Sequence, residues 1–574
     1  MIKASNKIQK FLTALLIIFL IYFIFMAIIN PITAVISESL WSKNGLNLNS
    51  IYKVLNSNRA MNAIKNSFVL AITLTITCNA LGLFMVLVTE YFEIKGAKFL
   101  RLGYLTSLLM GGLVMNFGYL LVYGKNGFIT KLLVQLIPNW DSYWFEGYGA
   151  VLFVMTLGCT HIHMLFLRNA IRSIDFNLLE AAKILGSHPI QILFKVALPT
   201  ILPVLLTLLI MTFQTGLGAF SAPVMIGGKD FQTISPLILT FANRPRSREI
   251  AALMSIFLGI CQLILLYFLT RNEHKSQFLS VSKTKAKIQK QKITSPLLNK
   301  GIHFLAYLLL LLFLLPFIAI ILSSFTKAEA LRHFTLSFQQ FTLQNYVNVL
   351  TNIKGYRPIL TSIIYSALAA FSAVSLMTIV GRIIQNSRRK FWSFLLEYSF
   401  YIPWLIPSLL LALGYLIAYD SPTKLLFGHS VIGSWWILPL AYMVVSLPNS
   451  LRYIKASYYG VDNQLEDASK MLGASKIQTF TKIIIPILIP TLLALIAIQF
   501  NSLIDDYDLS VFLYRSSNPP LGIEIRKNAN PDMNINAQAI NAVYSVILMF
   551  IKGLALYCVY NSGSQQLNQK AGHL

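Results

Sequence analysis

The residues of this chain whose types and spacing point to a specific task lie in two repeated stretches. One reads LLEAAKILGSHPIQILFKVALPTILPVLL from Leu178, and the other reads LEDASKMLGASKIQTFTKIIIPILIPTLL from Leu465. At a constant spacing of 287 residues, half of the 574-residue chain, Ala181 falls on Ala468, Lys183 on Lys470 and Gly186 on Gly473. Pro199 falls on Pro486 and Pro203 on Pro490, again without a gap. Asp175 and Asp462 are placed to cap a helix by accepting hydrogen bonds from the free amides of its first turn. Leu178, Ala182 and Leu185, and in the second copy Leu465, Ser469 and Leu472, recur at helical spacing. Gly186 and Gly473 then suit the left-handed position that ends such a helix. A helix of about ten residues is marginal alone and becomes stable by packing into something else. The chemistry these stretches suggest is therefore docking. The prolines that follow, Pro199 and Pro486, are expected to bend the start of the next helix.

Other groups carry weaker signals. Gln214 and Thr215 fall on Asn501 and Ser502 at the same spacing, inside apolar stretches where polar residues mark either a pathway or an interhelical bond. Asp505, Asp506 and Asp508 follow, facing Gly218, Ala219 and Ser221 in the first copy. Such a cluster either attracts a cationic solute or basic partner, or is a solvated helix end. His161 and His163, two residues apart, point in different directions on a helix and make no metal pair. A phosphate-cradling loop needs Gly, four residues, then Gly-Lys-Ser/Thr. The Gly124-Lys125 and Gly228-Lys229 pairs are followed by Asn and Asp, so neither fits. No nucleophile with its base, no metal set and no catalytic residue emerges, so an enzyme is not expected. The four cysteines, Cys78, Cys159, Cys261 and Cys558, lie far apart inside apolar stretches and suggest packing.

The elements that must position these residues follow from composition. The chain is 56% hydrophobic and only 12% charged, with a mean hydropathy of +0.64. A water-facing surface requires about twice that charge density. The apolar residues come in blocks of the length needed to cross a bilayer as helices. Twelve candidate spans are centred near residues 20, 78, 113, 159, 207, 260, 312, 373, 408, 443, 494 and 548. The first is too long for a signal peptide and is expected to be retained. Six spans per copy give both copies the same topology. The expected fold is an all-α polytopic membrane protein: two parallel six-helix repeats related by a pseudo-two-fold axis along the membrane normal. The first half is read as 1–270, a basic linker as 271–300 and the second half as 301–574. The net charge of +26 would suit nucleic acid in a soluble protein. Here Lys and Arg cluster between spans and favour one side, which makes an anionic lipid surface the partner and excludes nucleic acid. The same bias places both termini, the linker and both repeated stretches in the cytoplasm. Lys552 is the exception, lying within the last span.

The pattern Glu180-Ala181-Ala182, three residues, Gly186, nine residues, then Val196, Leu198 and Pro199 resembles the EAA loop of permeases of type I bacterial ABC importers. The second copy substitutes Asp467 and Ser469 around Ala468 and keeps Gly473, Ile483, Ile485 and Pro486. Two such loops in one chain resemble the fused permeases of ferric-iron, thiamine and related importers of the inner membrane. The resemblance implies that each loop helix docks on one of two cytoplasmic ATP-binding subunits, and that an extracytoplasmic binding protein delivers the solute. It implies no cofactor bound here, ATP and Mg being used by the partner; the polar residues Gln214, Thr215, Asn501, Ser502, Asp505 and Asp506 are, from their positions alone, the candidates for a translocation path. Ferric iron is the cargo it favours, with thiamine, polyamine or organophosphonate as others. The alternative is a twelve-helix secondary transporter. The hallmark of that class would be a Gly-x-x-x-Asp-Arg signature between spans two and three, where this chain reads EYFEIKGAKFLR.

Overall fold

A computed structural model describes residues 14–571, apart from 43–44, 47–48, 173, 245–246, 277–289, 294, 334–337, 388, 424–425, 427, 460 and 531–534. The middle of the basic linker thus lies outside the described residues. Helices dominate, and the first half contains six that are long and apolar enough to span a membrane. They are spans 1 to 6: Ala14–Leu40, Asn58–Tyr91, Ala97–Leu136, Tyr148–Arg172, Leu193–Leu217 and Arg248–Phe268. The second half supplies span 7 (Pro296–Ser324), span 8 (Ile353–Asn386), span 11 (Lys476–Leu503) and span 12 (Asn536–Cys558).

Two of the twelve expected spans are not simple. Span 9, near residue 408, is a pair of helices, Lys390–Trp404 and Ser408–Tyr419, meeting at 99°. Pro403 and Pro407 lie at the break, and neither can donate the backbone bond that would continue the helix. Among the described residues there are therefore 10 membrane-length helices, or 11 if the bent pair is one span. The twelfth position, near 443, is the helix Ile437–Tyr459, here span 10. Pro448, Asn449, Arg452 and Lys455 dilute its apolar character, and it packs against spans 8 and 11.

Each half is built on a three-helix core, spans 2, 4 and 5 in the first and spans 8, 10 and 11 in the second. The first span of each half crosses over to the other half: span 1 packs on the second arm of span 9, and span 7 packs on span 3. A proline explains the grip in both cases. Pro31 lacks an N–H, so the carbonyl of Ala27, one turn earlier, has no helical partner. The Tyr415 hydroxyl donates to it at 2.6 Å. Pro316 leaves the Leu312 carbonyl open in the same way, and Tyr119 donates to it at 3.2 Å. Gly414 allows its span to approach Pro31 so closely that a β-carbon there would lie 2.5 Å from the Pro31 carbonyl oxygen.

The pseudo-two-fold axis can be located. Phe220 and Tyr507 occupy equivalent places in the two copies, and their rings stack on each other with centroids 5.3 Å apart and planes at 23°. Contact between equivalent residues of two related units occurs on the axis that relates them. Both rings are buried, just beyond the ends of spans 5 and 11.

Candidate functional site

The two repeated stretches form matching short helices, Phe176–Ile184 and Asn463–Met471. The Asp175 carboxylate accepts from the Asn177 amide at 3.1 Å, and Asp462 accepts from the Gln464 amide at 2.9 Å, so both expected caps are present. Each helix stops in the same way. Gly186 has φ +82° and Gly473 φ +80°. Ser187 N–H reaches back to Ala182 O at 3.1 Å, and Ala474 N–H to Ser469 O at 3.0 Å. This six-residue closure satisfies carbonyls that the last turn leaves open. A β-carbon on either glycine would meet nothing within 4 Å, so the backbone conformation, not crowding within the chain, asks for glycine.

Beyond each stop, the chain makes a single π-turn before the next helix, Leu193–Ala197 and Phe480–Ile484. Leu198 and Ile485 close these turns by donating five residues back, to Leu193 and Phe480. Pro199 and Pro486 follow directly and donate nothing.

The leucines of the expected stripe are not covered by their own chain. Leu178 and Leu465 are exposed, and Leu185 and Leu472 are 85% and 88% exposed. Ile184 and Met471 join them at 85% and 89%. Large apolar side chains thus stand uncovered by their own chain at equivalent tips of the two helices. Glu180, Ala181, Asp467 and Ala468 are exposed on the same helices, while Ala182 is half-buried. Asp467 pairs with Lys470 one turn on, at 2.9 Å.

What fastens each helix to its own half includes a residue the pattern did not single out. In the first half it is Leu179, 2% exposed. Its counterpart at the 287 spacing is Glu466, whose carboxylate receives both Nη1 and Nη2 of Arg382 at 2.7 Å. The guanidinium holds the Glu466 carboxyl below its usual range. Ser469, in place of Ala182, is buried and shares a 2.7 Å hydroxyl bond with Thr479 of the following helix. Residues just before each loop helix are also tied by charge. Arg168 and Arg172 both donate to the buried Glu90 at 2.8 Å, and Lys455, the counterpart of Arg168, pairs with Glu397.

Deeper in the chain, the expected path residues divide. Gln214 and Asn501 are half-buried, whereas Thr215 and Ser502 are exposed, their hydroxyls turned back to Met211 O and Gln499 O. The buried polar contacts lie on a neighbouring face. In the first half, His163 Nε2–H donates to Asn79 Oδ1 at 3.0 Å, and Asn79 donates to Thr212 Oγ1 at 2.9 Å. This links spans 2, 4 and 5. In the second half, Gln499, the counterpart of Thr212, donates to Ser450 Oγ at 3.2 Å; Ser450 is the counterpart of His163. These equivalent clusters bond helices to one another, and their signal in the sequence was polarity kept at matching positions with different residue types. Among the described residues no three His, Cys, Asp or Glu side chains converge as a metal site.

Two members of the acidic cluster, Asp505 and Asp506, are partnered within the chain rather than solvated. Asp505 forms an ion pair with Lys552 of span 12 at 2.7 Å, their side chains only 9% and 4% exposed. Asp506 turns inward and accepts from Leu509 N–H, Ser510 N–H and Ser510 Oγ, each at 3.2 Å. Desolvation of a carboxylate is costly unless such partners are present, so these groups are found where partners exist.

Comparison with known proteins adds the family. The model for "Binding-protein-dependent transport system inner membrane component" matches residues 99–275 and again 377–562, more than half of the chain. The chain belongs to that family. Each match of this permease domain contains one loop helix, so the repeat read from the sequence is a fusion of two permease domains. The "Probable ABC transporter permease protein y4fN" of Sinorhizobium fredii is 33% identical over 90% of this chain and 91% of its own length. The ferric transport system permease protein FbpB of Actinobacillus pleuropneumoniae is 22% identical over 87% of this chain and 71% of its own. The "Putative 2-aminoethylphosphonate transport system permease protein PhnU" of Salmonella typhimurium is 26% identical over 39% of this chain and 80% of its own. Among solved structures, a bacterial ABC transporter involved in alginate import aligns with 48% of this chain and 99% of that chain, at 16% identity and a TM-score of 0.39. This chain is thus the permease component of a binding-protein-dependent ABC importer, not an enzyme, and the secondary-transporter alternative falls away.

Proposed function

We propose that this permease carries a small charged solute inward through a path between its two halves, driven by two copies of a cytoplasmic ATP-binding subunit. One copy seats on each loop helix. The observation that supports this reading is the pair of uncovered apolar tips, Ile184–Leu185 and Met471–Leu472, displayed on capped helices of equal length at equivalent places. A symmetric ATPase dimer needs two such contacts under one axis. ATP and Mg belong to that partner, and this chain holds no cofactor of its own. On this reading both termini and the 271–300 linker are cytoplasmic. The extracytoplasmic binding protein meets the opposite face, and the outer path is shut at the Phe220–Tyr507 stack.

For cargo, ferric iron draws support from relatives such as FbpB that match most of the chain, and an aminophosphonate from those that match one domain. Asp505 and Asp506 no longer argue for iron, since Asp505 is paired and Asp506 caps a turn. The deciding experiment is mild solubilisation of the tagged chain from its native membrane, followed by identification of the proteins that co-purify. The control carries Gly186→Asp and Gly473→Asp, which force a side chain and a charge onto both left-handed stops. An ATP-binding protein retained by the wild type and lost from the control supports the reading. Absence of any ATPase under conditions that preserve other membrane complexes overturns it.

A further inference from the structure

Lys552 and Asp505 form the one ion pair described within the depth of the spans that joins the end of span 11 to span 12. It stands where span 3 is broken. Gly111, inside the helix Thr106–Tyr123, has φ +66° and ψ 172°, which interrupts the helical hydrogen-bond ladder. A β-carbon on Gly111 would lie 2.0 Å from Asp505 Oδ2 and 2.4 Å from Lys552 Nζ. The ion pair is therefore seated on bare backbone of the first half, and nothing larger than glycine fits under it. Irregular backbone at membrane depth persists only where it is buried in protein or faces a polar path. Three elements from both halves converge here, close in sequence to Tyr507 on the axis.

The pair has no twin. The counterparts of Asp505 and Lys552 are Gly218 and Leu265, and Gly218 faces the uncharged Gln262 of span 6. A single oriented plus–minus pair is a dipole with a defined direction. A bare cation entering here satisfies Asp505 and strands Lys552; a bare anion does the reverse. Stranding one partner of a buried pair is strongly unfavourable. A solute that presents an anionic oxygen to Lys552 and a cationic centre to Asp505 separates the two without leaving either uncompensated.

We propose that Lys552 and Asp505, seated on the Gly111 break, form a charge-selective site for a dipolar solute: an anionic oxygen joined to, or travelling with, a cationic centre. This rests on the importer reading above and sharpens its cargo. The shared chemistry covers a zwitterionic aminophosphonate and a metal cation carried with its anionic ligand, and the test separates them.

The test uses the complex isolated with its ATPase and records thermal stabilisation by four probes: 2-aminoethylphosphonate, ferric citrate, inorganic phosphate and putrescine. Wild type is expected to be stabilised by one of the first two, which names the source, at concentrations roughly tenfold below any effect of phosphate or putrescine. Asp505→Asn should bring phosphate into the effective range, and Lys552→Met should do the same for putrescine. A purely structural role would not produce this change of preference. Should either single variant fail to fold, the double variant Asp505→Asn/Lys552→Met removes both charges together. It is expected to keep its ATPase and lose stabilisation by the dipolar probe. Equal stabilisation of wild type by phosphate or putrescine, no effect of either dipolar probe, or an unchanged response in the double variant overturns the proposal. ATPase retention, read on the same samples, reports separately on the importer reading.

Discussion

The two loop helices present the same outer face and are held from behind by different physics. Both are capped by aspartate, stopped by a left-handed glycine and tipped by two uncovered apolar side chains. Inside, the first is held by the buried Leu179, and the second by the Glu466–Arg382 ion pair and the Ser469–Thr479 bond. The resemblance between the copies is thus strongest where a symmetric partner would look and weakest where each helix meets its own half. On the proposed function a shared partner constrains the display, while each half attaches it by whatever its neighbouring helices supply.

That contrast can be broken from either side. The largest effect is expected from Leu179→Ala. Removing most of a buried leucine costs about 2–4 kcal/mol, and the first loop should lose its hold while the second is untouched. Crosslinking of a cysteine placed at position 184, compared with one at 471, to the ATPase would show this one-sided loss; equal loss at both would contradict separate anchoring. Arg382→Ala should do the converse at a cost of about 1.5–3 kcal/mol, because it leaves the Glu466 carboxylate without its bidentate partner. The 471 crosslink should weaken and the 184 crosslink persist.

Acid should distinguish the loops more gently. Glu466 is held below its usual range, so its pair contributes fully above the unfolded carboxyl value of about 4.3, and that contribution is lost as pH falls through the lower folded value. Hydrogen exchange of the second loop helix is therefore expected to be flat from neutral pH down to about 5 once corrected for intrinsic rates, and to show loosening only below about 4. The first loop, held by leucine, should show no such step. The smallest effect serves as the symmetric control. Gly186→Ala and Gly473→Ala meet no neighbour, so each should cost only the strain of a left-handed alanine, about 1 kcal/mol, equally in both loops. Unequal costs would mean that the stops are not equivalent after all.

Much of the display was legible in the sequence because it is local. Caps, stops and helical spacing depend on residues within a few positions, and the 287 register carried them from one copy to the other. The anchors were not legible. Leu179 and Leu178 are adjacent leucines, and only packing shows that the first is covered and the second exposed. Glu466 and Arg382 are far apart in sequence and meet because span 8 returns beside the loop. The same holds for the acidic run after span 11. Three aspartates read as an exposed end until Lys552, from a different span, is found against one of them and a turn of backbone amides against another.

Hydropathy, periodicity and the internal repeat determined by themselves that this chain is a helical membrane protein of two repeated halves, with a matched, aspartate-capped loop helix in each. These are properties of single segments in a known solvent, where a helix must satisfy its own backbone. The tertiary structure alone decided that the first span of each half is exchanged onto the other. It also decided that span 9 is bent and that equivalent aromatics meet on the axis. Lys552, within the last span, finds its counterion Asp505 over a broken helix in the same way. Each of these rests on contacts between residues hundreds of positions apart, whose energies depend on burial and geometry that no local pattern encodes.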